Sequence, residues 1–163
     1  MFVPDDFEPP TSLTGASPEG ETLRLAPLGP EHNERDYRAW TSSIEHIRSS
    51  PGFAGRRWPH EMTVEENAGD LVAHAEDFTA RRGFTYTVLD ADDEVIGCVY
   101  IYPDEDGEHD AHVRSWVRAD RAHLDAVVRR SVMRWLRTAW PFTDIRYPGV
   151  ESSPRDSPDR RPD

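Results

Sequence analysis

The stretch Phe84–Arg118, FTYTVLDADDEVIGCVYIYPDEDGEHDAHVRSWVR, decides the fold. Phe84–Leu89 (FTYTVL) and Val95–Tyr102 (VIGCVYIY) are rich in aromatic and β-branched residues, and the turn residues Asp90–Asp93 separate them, which is the signature of a hairpin. A second polar turn, Asp104–Asp110, leads into Ala111–Arg118. There Ala111, Val113, Ser115 and Val117 alternate with His112, Arg114, Trp116 and Arg118. Three adjacent runs of period two predict an antiparallel meander.

Downstream, from about Arg121, the period changes to 3.6. Leu124, Val127, Val128, Val132, Trp135, Leu136 and Ala139 fall on one helical face, and Pro141 stops the helix. Asp144–Tyr147 (DIRY) then supplies one further strand before Pro148 and Gly149. Upstream, Leu23, Leu25 and Ala26 form a short strand that ends at Gly29–Pro30, with Pro30 placed as the first residue of a helix. Tyr37, Trp40, Ile44 and Ile47 make one helical stripe. Thr63, three residues before Glu66, opens a second helix with a capping box, and that helix buries Leu71, Ala75 and Phe78 before Gly83. The expected order is strand, helix, helix, three strands, helix, strand. It predicts an α/β (α+β) fold, helices packed on a mixed sheet, with the last strand parallel to its neighbour.

Residues 21–150 are the expected domain. Residues 1–20 carry Pro4, Pro9, Pro10 and Pro18 with few core anchors, and they predict a flexible lead. Residues 151–163 contain no aliphatic or aromatic side chain and predict a disordered tail. The 19 Lys+Arg against 31 Asp+Glu give a net charge of −12, which argues against nucleic acid as a partner. No apolar run long enough to cross a membrane and no basic, apolar leader is found, so a cytoplasmic protein is expected. The lone Cys98 forms no internal disulfide and reads as a small core residue.

The element order, together with Ser115–Ala126 (SWVRADRAHLDA), resembles the GNAT acyltransferase family over about residues 21–149. The resemblance implies a β-α-α-β-β-β-α-β fold that lacks the family's last helix and two strands. It implies acetyl-CoA as cosubstrate, lying between the strand Ala111–Arg118 and the strand near Ile145. Val117, Arg118, Arg121, Ala122, His123, Leu124, Asp125 and Ala126 would surround its pyrophosphate. Backbone amides and the positive end of a helix favour an anion there. The loop departs from the family's Arg-Gly-x-Gly-x-Ala form. Arg121 and Ala126 are kept, Ala122 and Leu124 replace both glycines, and Asp125 adds a negative charge to the first helical turn.

In that setting His112, with an ordinary pKa of about 6.5, is a candidate base. Tyr100 is a candidate acid, and Tyr37, Trp58 and Tyr102 are candidate substrate contacts. Packing or solvated side chains are the ordinary reading for each. The acidic run Asp104–Asp110 does not match a calcium loop, because His109 and Ser115 stand where that loop needs glycine and glutamate. No metal is expected. The resemblance thus implies an N-acyltransferase acting on an amine of a small molecule or protein. The alternative is a catalytically degenerate GNAT-fold binding module. The unpaired edge of the last strand further predicts a homodimer.

Overall fold

The computed structural model describes residues 1–150; the expected tail, 151–163, lies outside the described residues. Six strands form one sheet in sequence order: β1 (Leu13–Ala16), β2 (Thr22–Pro27), β3 (Phe84–Asp90), β4 (Val95–Tyr102), β5 (Ala111–Val117) and β6 (Ile145–Arg146). All neighbours are antiparallel except β5 and β6, which run parallel as the sequence order predicts. Among the described residues four α-helices accompany them: α1 (Asn33–Thr41), α2 (Ile44–Ser49), α3 (Val64–Thr79) and α4 (Asp125–Ala139).

Strand alternation sends the side chains of the meander to two faces. On one face Phe84, Tyr86, Val88, Val99, Ile101, Val113 and Val117 pack with the apolar stripe of α4 (Leu124, Val128, Val132 and Leu136 all buried). On the other face Cys98 and Trp116 join Trp40 of α1, Ile47 of α2 and Leu71 of α3. Tyr100 is paired across strands with Arg114, and Tyr102 with His112, so these four side chains share the second face.

Two expectations are corrected. The stripe Tyr37, Trp40, Ile44, Ile47 is interrupted, because α1 and α2 are separate helices with Ser43 in a non-helical conformation between them. Adjacent serines explain the break, since hydroxyls compete for backbone partners: Ser42 Oγ donates to Ala39 O at 2.8 Å, and Ser43 Oγ accepts the distant Ala119 N–H at 2.8 Å. At the start of α3 the capping box forms as read, with reciprocal Thr63 and Glu66 contacts of 3.1 Å.

The second correction concerns the lead. Residues 1–20 are built into the domain: Leu13–Ala16 pairs with Thr22–Leu25, Val3 is 2% exposed, and Phe2 stacks on Phe142 with ring centroids 5.2 Å apart. Phe7 meets Trp140 at 5.2 Å, and Tyr86 Oη donates to Pro10 O at 2.5 Å. Proline content suggested too little apolar surface to hold this segment, yet three well-spaced apolar side chains suffice because the core already offers their sockets. Removing residues 1–10 should therefore cost about 3–5 kcal/mol, given about 1.5–3 kcal/mol per well-buried apolar side chain. Thermal melting should show a fall of roughly 10 °C; an unchanged midpoint would restore the flexible lead.

Candidate functional site

The corner where the resemblance places a coenzyme lies at the end of β5 and the start of α4. β5 and β6 pair only at Ala111 with Ile145 and at His112 with Arg146. Beyond that pair Tyr147, 5% exposed, reaches back to β5, its hydroxyl 2.6 Å from Ser115 Oγ. Burial raises the Tyr147 phenol, so it stays neutral. The next residues turn at Gly149, whose φ is +90°, and a Cβ there would meet Arg129 Nε at 2.9 Å and Pro51 at 3.1 Å. Glycine is required at this point, because the backbone is left-handed and lies against a half-buried guanidinium.

Every charged group of the loop has a partner within the chain. Arg118 holds Asp120 at 2.8 Å, Arg121 holds Asp90 at 3.1 Å, and His123 Nε2 lies 2.7 Å from Glu21. The Asp125 carboxylate occupies the first turn of α4, 3.1 Å from His46 Nε2 and 3.5 Å from Arg129. Burial raises its pKa, and Arg129 and His46 oppose that shift. Ala119–Leu124 forms a 3₁₀ turn, which spends amides on local bonds, and the Ala119 N–H is held by Ser43. Leu124 is 1% exposed and Val117 is fully buried, both as core side chains, while Ala122 and Ala126 are exposed. A pyrophosphate needs free amides and free cations at a helix start. This corner offers a resident carboxylate and guanidiniums of Arg118 and Arg121 already engaged, while Arg129 Nε and Nη2 lack a hydrogen-bond partner among the described residues; with Asp125 in the first turn the residues present do not fit the doubly charged group.

A different site is built on the second face. A cavity of about 650 Å³ opens between α1, α3, β4, β5 and the loop that joins α2 to α3. Its floor is a buried polar chain: Trp40 Nε1 donates to Asn67 Oδ1 at 3.1 Å, and Asn67 Nδ2 donates to Asp36 Oδ2 at 3.1 Å and Asn33 Oδ1 at 2.9 Å. Burial lifts the Asp36 carboxyl to about 6, against the hydrogen bond from Asn67. Along α3, Tyr102 Oη donates to Asp77 Oδ2 at 2.9 Å and lies 2.9 Å from His74 Nδ1. His74 Nδ1 also lies 3.1 Å from Thr85 Oγ1; with the phenol proton on Asp77, a proton on Nδ1 serves both oxygens, and this tautomer leaves the lone pair on Nε2. Burial lowers the His74 pKa and holds the ring neutral, and burial pushes Tyr102 up to about 12.

The candidates read from the sequence divide here. Tyr100, Tyr102 and Trp58 line this cavity together. The Tyr100 hydroxyl accepts from Trp116 Nε1 at 3.0 Å, and burial raises its pKa far from any proton-transfer range. Tyr37 instead ties α1 to the loop, donating to Met62 O at 2.7 Å. His112 is outside the lining; its Nδ1 lies 4.0 Å from the buried Asp104, its Nε2 has no partner among the described residues, and burial lowers its pKa. Sequence reasoning missed His74 and Asn67. Their signal is positional: with Leu71 and Phe78 they occupy one stripe of α3, and they are its polar members. Among the described residues no group of three metal-ligating side chains occurs, and no helix is long and apolar enough to cross a membrane.

The raised Asp36 pKa sets a sign for stability. The native carboxyl titrates near 6 and the unfolded one at 3.8, so between those values the native state holds a proton that the unfolded state has lost. Stability therefore falls as pH rises from about 4 to about 6, by about 3 kcal/mol for a shift of this size. Asp36→Asn keeps an acceptor for Asn67 and removes this slope. Urea unfolding at pH 4 and pH 7 should show the variant gaining on the parent at the higher pH; an equal difference at both would overturn the assignment.

No protein-family model and no curated protein matches the chain. Solved structures do. RimJ from Mycobacterium smegmatis, in complex with CoA-disulfide, has a TM-score of 0.67 at 17% identity over 85% of this chain and 67% of that chain. A ribosomal-protein-S5-alanine acetyltransferase from Vibrio fischeri has a TM-score of 0.57 at 16% identity, covering 78% and 68%. An acetyltransferase from Salmonella typhimurium that modifies the N-terminal serine of ribosomal protein L7/L12 has a TM-score of 0.54 at 10% identity, covering 72% and 66%. With its mixed sheet, its parallel β5–β6 pair and α4 crossing between them, the chain has the GNAT fold.

Proposed function

We propose that this chain is a GNAT-fold binding module whose working site is the aromatic cavity of the second face, and that acyl transfer from coenzyme A has been given up. One observation carries the reading: Asp125 puts a carboxylate in the first turn of α4, against an incoming anion, and His46 and Arg129 hold it there. Fold alone does not decide activity, and the site argues for binding without the cosubstrate.

A second reading keeps acetyl transfer to an amine acceptor. It is favoured by the fold neighbours, which include a complex with CoA-disulfide and enzymes named for ribosomal proteins, so that a protein acceptor is the first to try. In that reading the amine's proton would pass to His74 rather than His112, because His74 lines the cavity with its lone pair unspent. Calorimetric titration with coenzyme A and with acetyl-CoA separates the two. No heat at millimolar ligand and no thermal shift are expected. Micromolar affinity, with free thiol released when an amine acceptor is added, would establish the enzyme instead. Cys98 is fully buried and its thiol pKa is raised, so it adds no background to a thiol assay.

A further inference from the structure

Three arginines reach the cavity, Arg56 and Arg57 from the loop and Arg114 from β5. Among the described residues none of them holds a carboxylate, although the chain carries 31 Asp+Glu against 19 Lys+Arg and ties Arg118, Arg121 and Arg146 to acidic side chains. The lack of partners is therefore a matter of placement and not of supply. Arg114 is half-buried and fixed by its surroundings. Its guanidinium carbon lies 5.8 Å from the ring centroids of both Phe53 and Tyr100, and its stem runs against Gly52, where a Cβ would lie 3.1 Å from Arg114 Cγ. Gly52 has φ +90°, so the loop is shaped to let this stem pass. Arg56, whose Nε donates to Gly52 O at 3.0 Å, adds a second positive charge, and burial and this charge both act against the charged form of Arg114. A half-buried cation beside a like charge, with N–H donors unspent, is an incomplete arrangement that an anion would complete.

The rest of the lining narrows the anion. Phe53, Trp58 and Tyr100 form an aromatic wall, with ring centroids 6.1 Å apart for the first pair and 6.4 Å for Trp58 and Tyr100. Facing it, α3 carries Asp70 and Asp77 into the same cavity. Asp70 and Asp77, with the Asp36 carboxyl on the floor as a third that is charged only above about pH 6, face three guanidiniums, which disfavours a multiply charged phosphate and suits a single planar charge on an apolar body. A volume of about 650 Å³ holds such a molecule with room to spare.

We propose that the cavity binds a small aromatic monocarboxylate, its carboxylate forked by Arg114 with Arg56 and Arg57 at the mouth, and its ring against Phe53, Trp58 and Tyr100. This rests on the cavity being the working site, and it names the charge and shape of the ligand, which that reading does not. Calorimetry with phenylacetate, 2-phenylacetamide and 2-phenylethylamine tests it on the intact chain. Phenylacetate should bind roughly tenfold or more tighter than the amide, as charge-assisted hydrogen bonds imply. Arg114→Gln should remove that preference while leaving the amide's affinity unchanged. Arg57→Gln, on an exposed loop position, should weaken phenylacetate severalfold with an unaltered melting temperature, and it decides the matter if Arg114→Gln fails to fold. An amine that binds as well as phenylacetate would overturn the ligand's charge and leave the cavity as the site. Phenylacetate binding that neither variant weakens would place the anion elsewhere and overturn the proposal. Absence of heat from all three compounds at millimolar concentration would overturn the proposal, whereas the reading beneath it falls only if coenzyme A binds with micromolar affinity.

Discussion

The buried carboxamide of Asn67, 2% exposed, has all of its recorded partners on α1: the Trp40 indole, the Asp36 carboxyl and the Asn33 side chain. An amide or carboxyl removed from water without a partner costs several kcal/mol, so the four groups are stable only as a set. That condition fixes where α3 lies on α1, and the gap between α3 and the sheet is the cavity. The raised Asp36 pKa expresses the same constraint. Asn67 supplies one hydrogen bond to a carboxyl that burial would otherwise protonate, and among the described residues no cation pairs with it. The Asp36 carboxyl of the floor is therefore uncharged only below about pH 6.

Electrostatics differ at the two ends of β5 for a reason that lies in the chain rather than in the fold. Around the start of α4, acidic side chains arrive from four places, Glu21, Asp90, Asp120 and Asp125, and each finds a cation within reach. Such pairs at a partly exposed surface add little stability. Their consequence is occupancy, since a guanidinium engaged by a carboxylate must break that contact before it takes a phosphate. In the cavity the arginines project from β5 and from a glycine-bent loop whose neighbours are Phe53 and Trp58, and among the described residues no carboxylate comes within salt-bridge distance of them. The same surplus of acid neutralises one corner and spares the other.

How much of this is legible in the sequence depends on the range of the interaction concerned. The meander, α4 and the capping box at Thr63 are written in local period and spacing, and they form as read. The lead misleads because its composition is judged alone; Phe2, Val3 and Phe7 gain their burial from Phe142, Trp140 and their neighbours, which lie more than a hundred residues away. The break between α1 and α2 turns on Ser43 accepting the Ala119 amide, again a distant partner. At the site, alternation in β5 already puts His112, Arg114 and Trp116 on one face, but it cannot say that Trp116 is covered, Arg114 half-buried and His112 turned toward Asp104. Tyr37 falls on the expected stripe and is drawn off by a loop carbonyl.

Strand register explains why the cavity survives whatever becomes of the coenzyme corner. On β4 and β5 successive residues serve opposite faces, so Val99, Ile101, Val113 and Val117 close the core under α4 while Tyr100, Tyr102 and Arg114 open onto the cavity. A slip of one residue would exchange the two sets and bury Arg114 in the apolar core, a cost large enough to forbid it. The irregularity in pairing lies at Val88 and Leu89, between β3 and β4, and does not reach the β4–β5 ladder. The cavity wall is therefore specified by the same pairing that specifies the fold. The loop before α4 is held by its ion pairs, by the Ser43 hydroxyl on the Ala119 amide and by the buried Leu124. Substitutions at its charged positions change what the corner can hold without moving a strand, so sharing a fold with acetyltransferases does not by itself decide what either site binds.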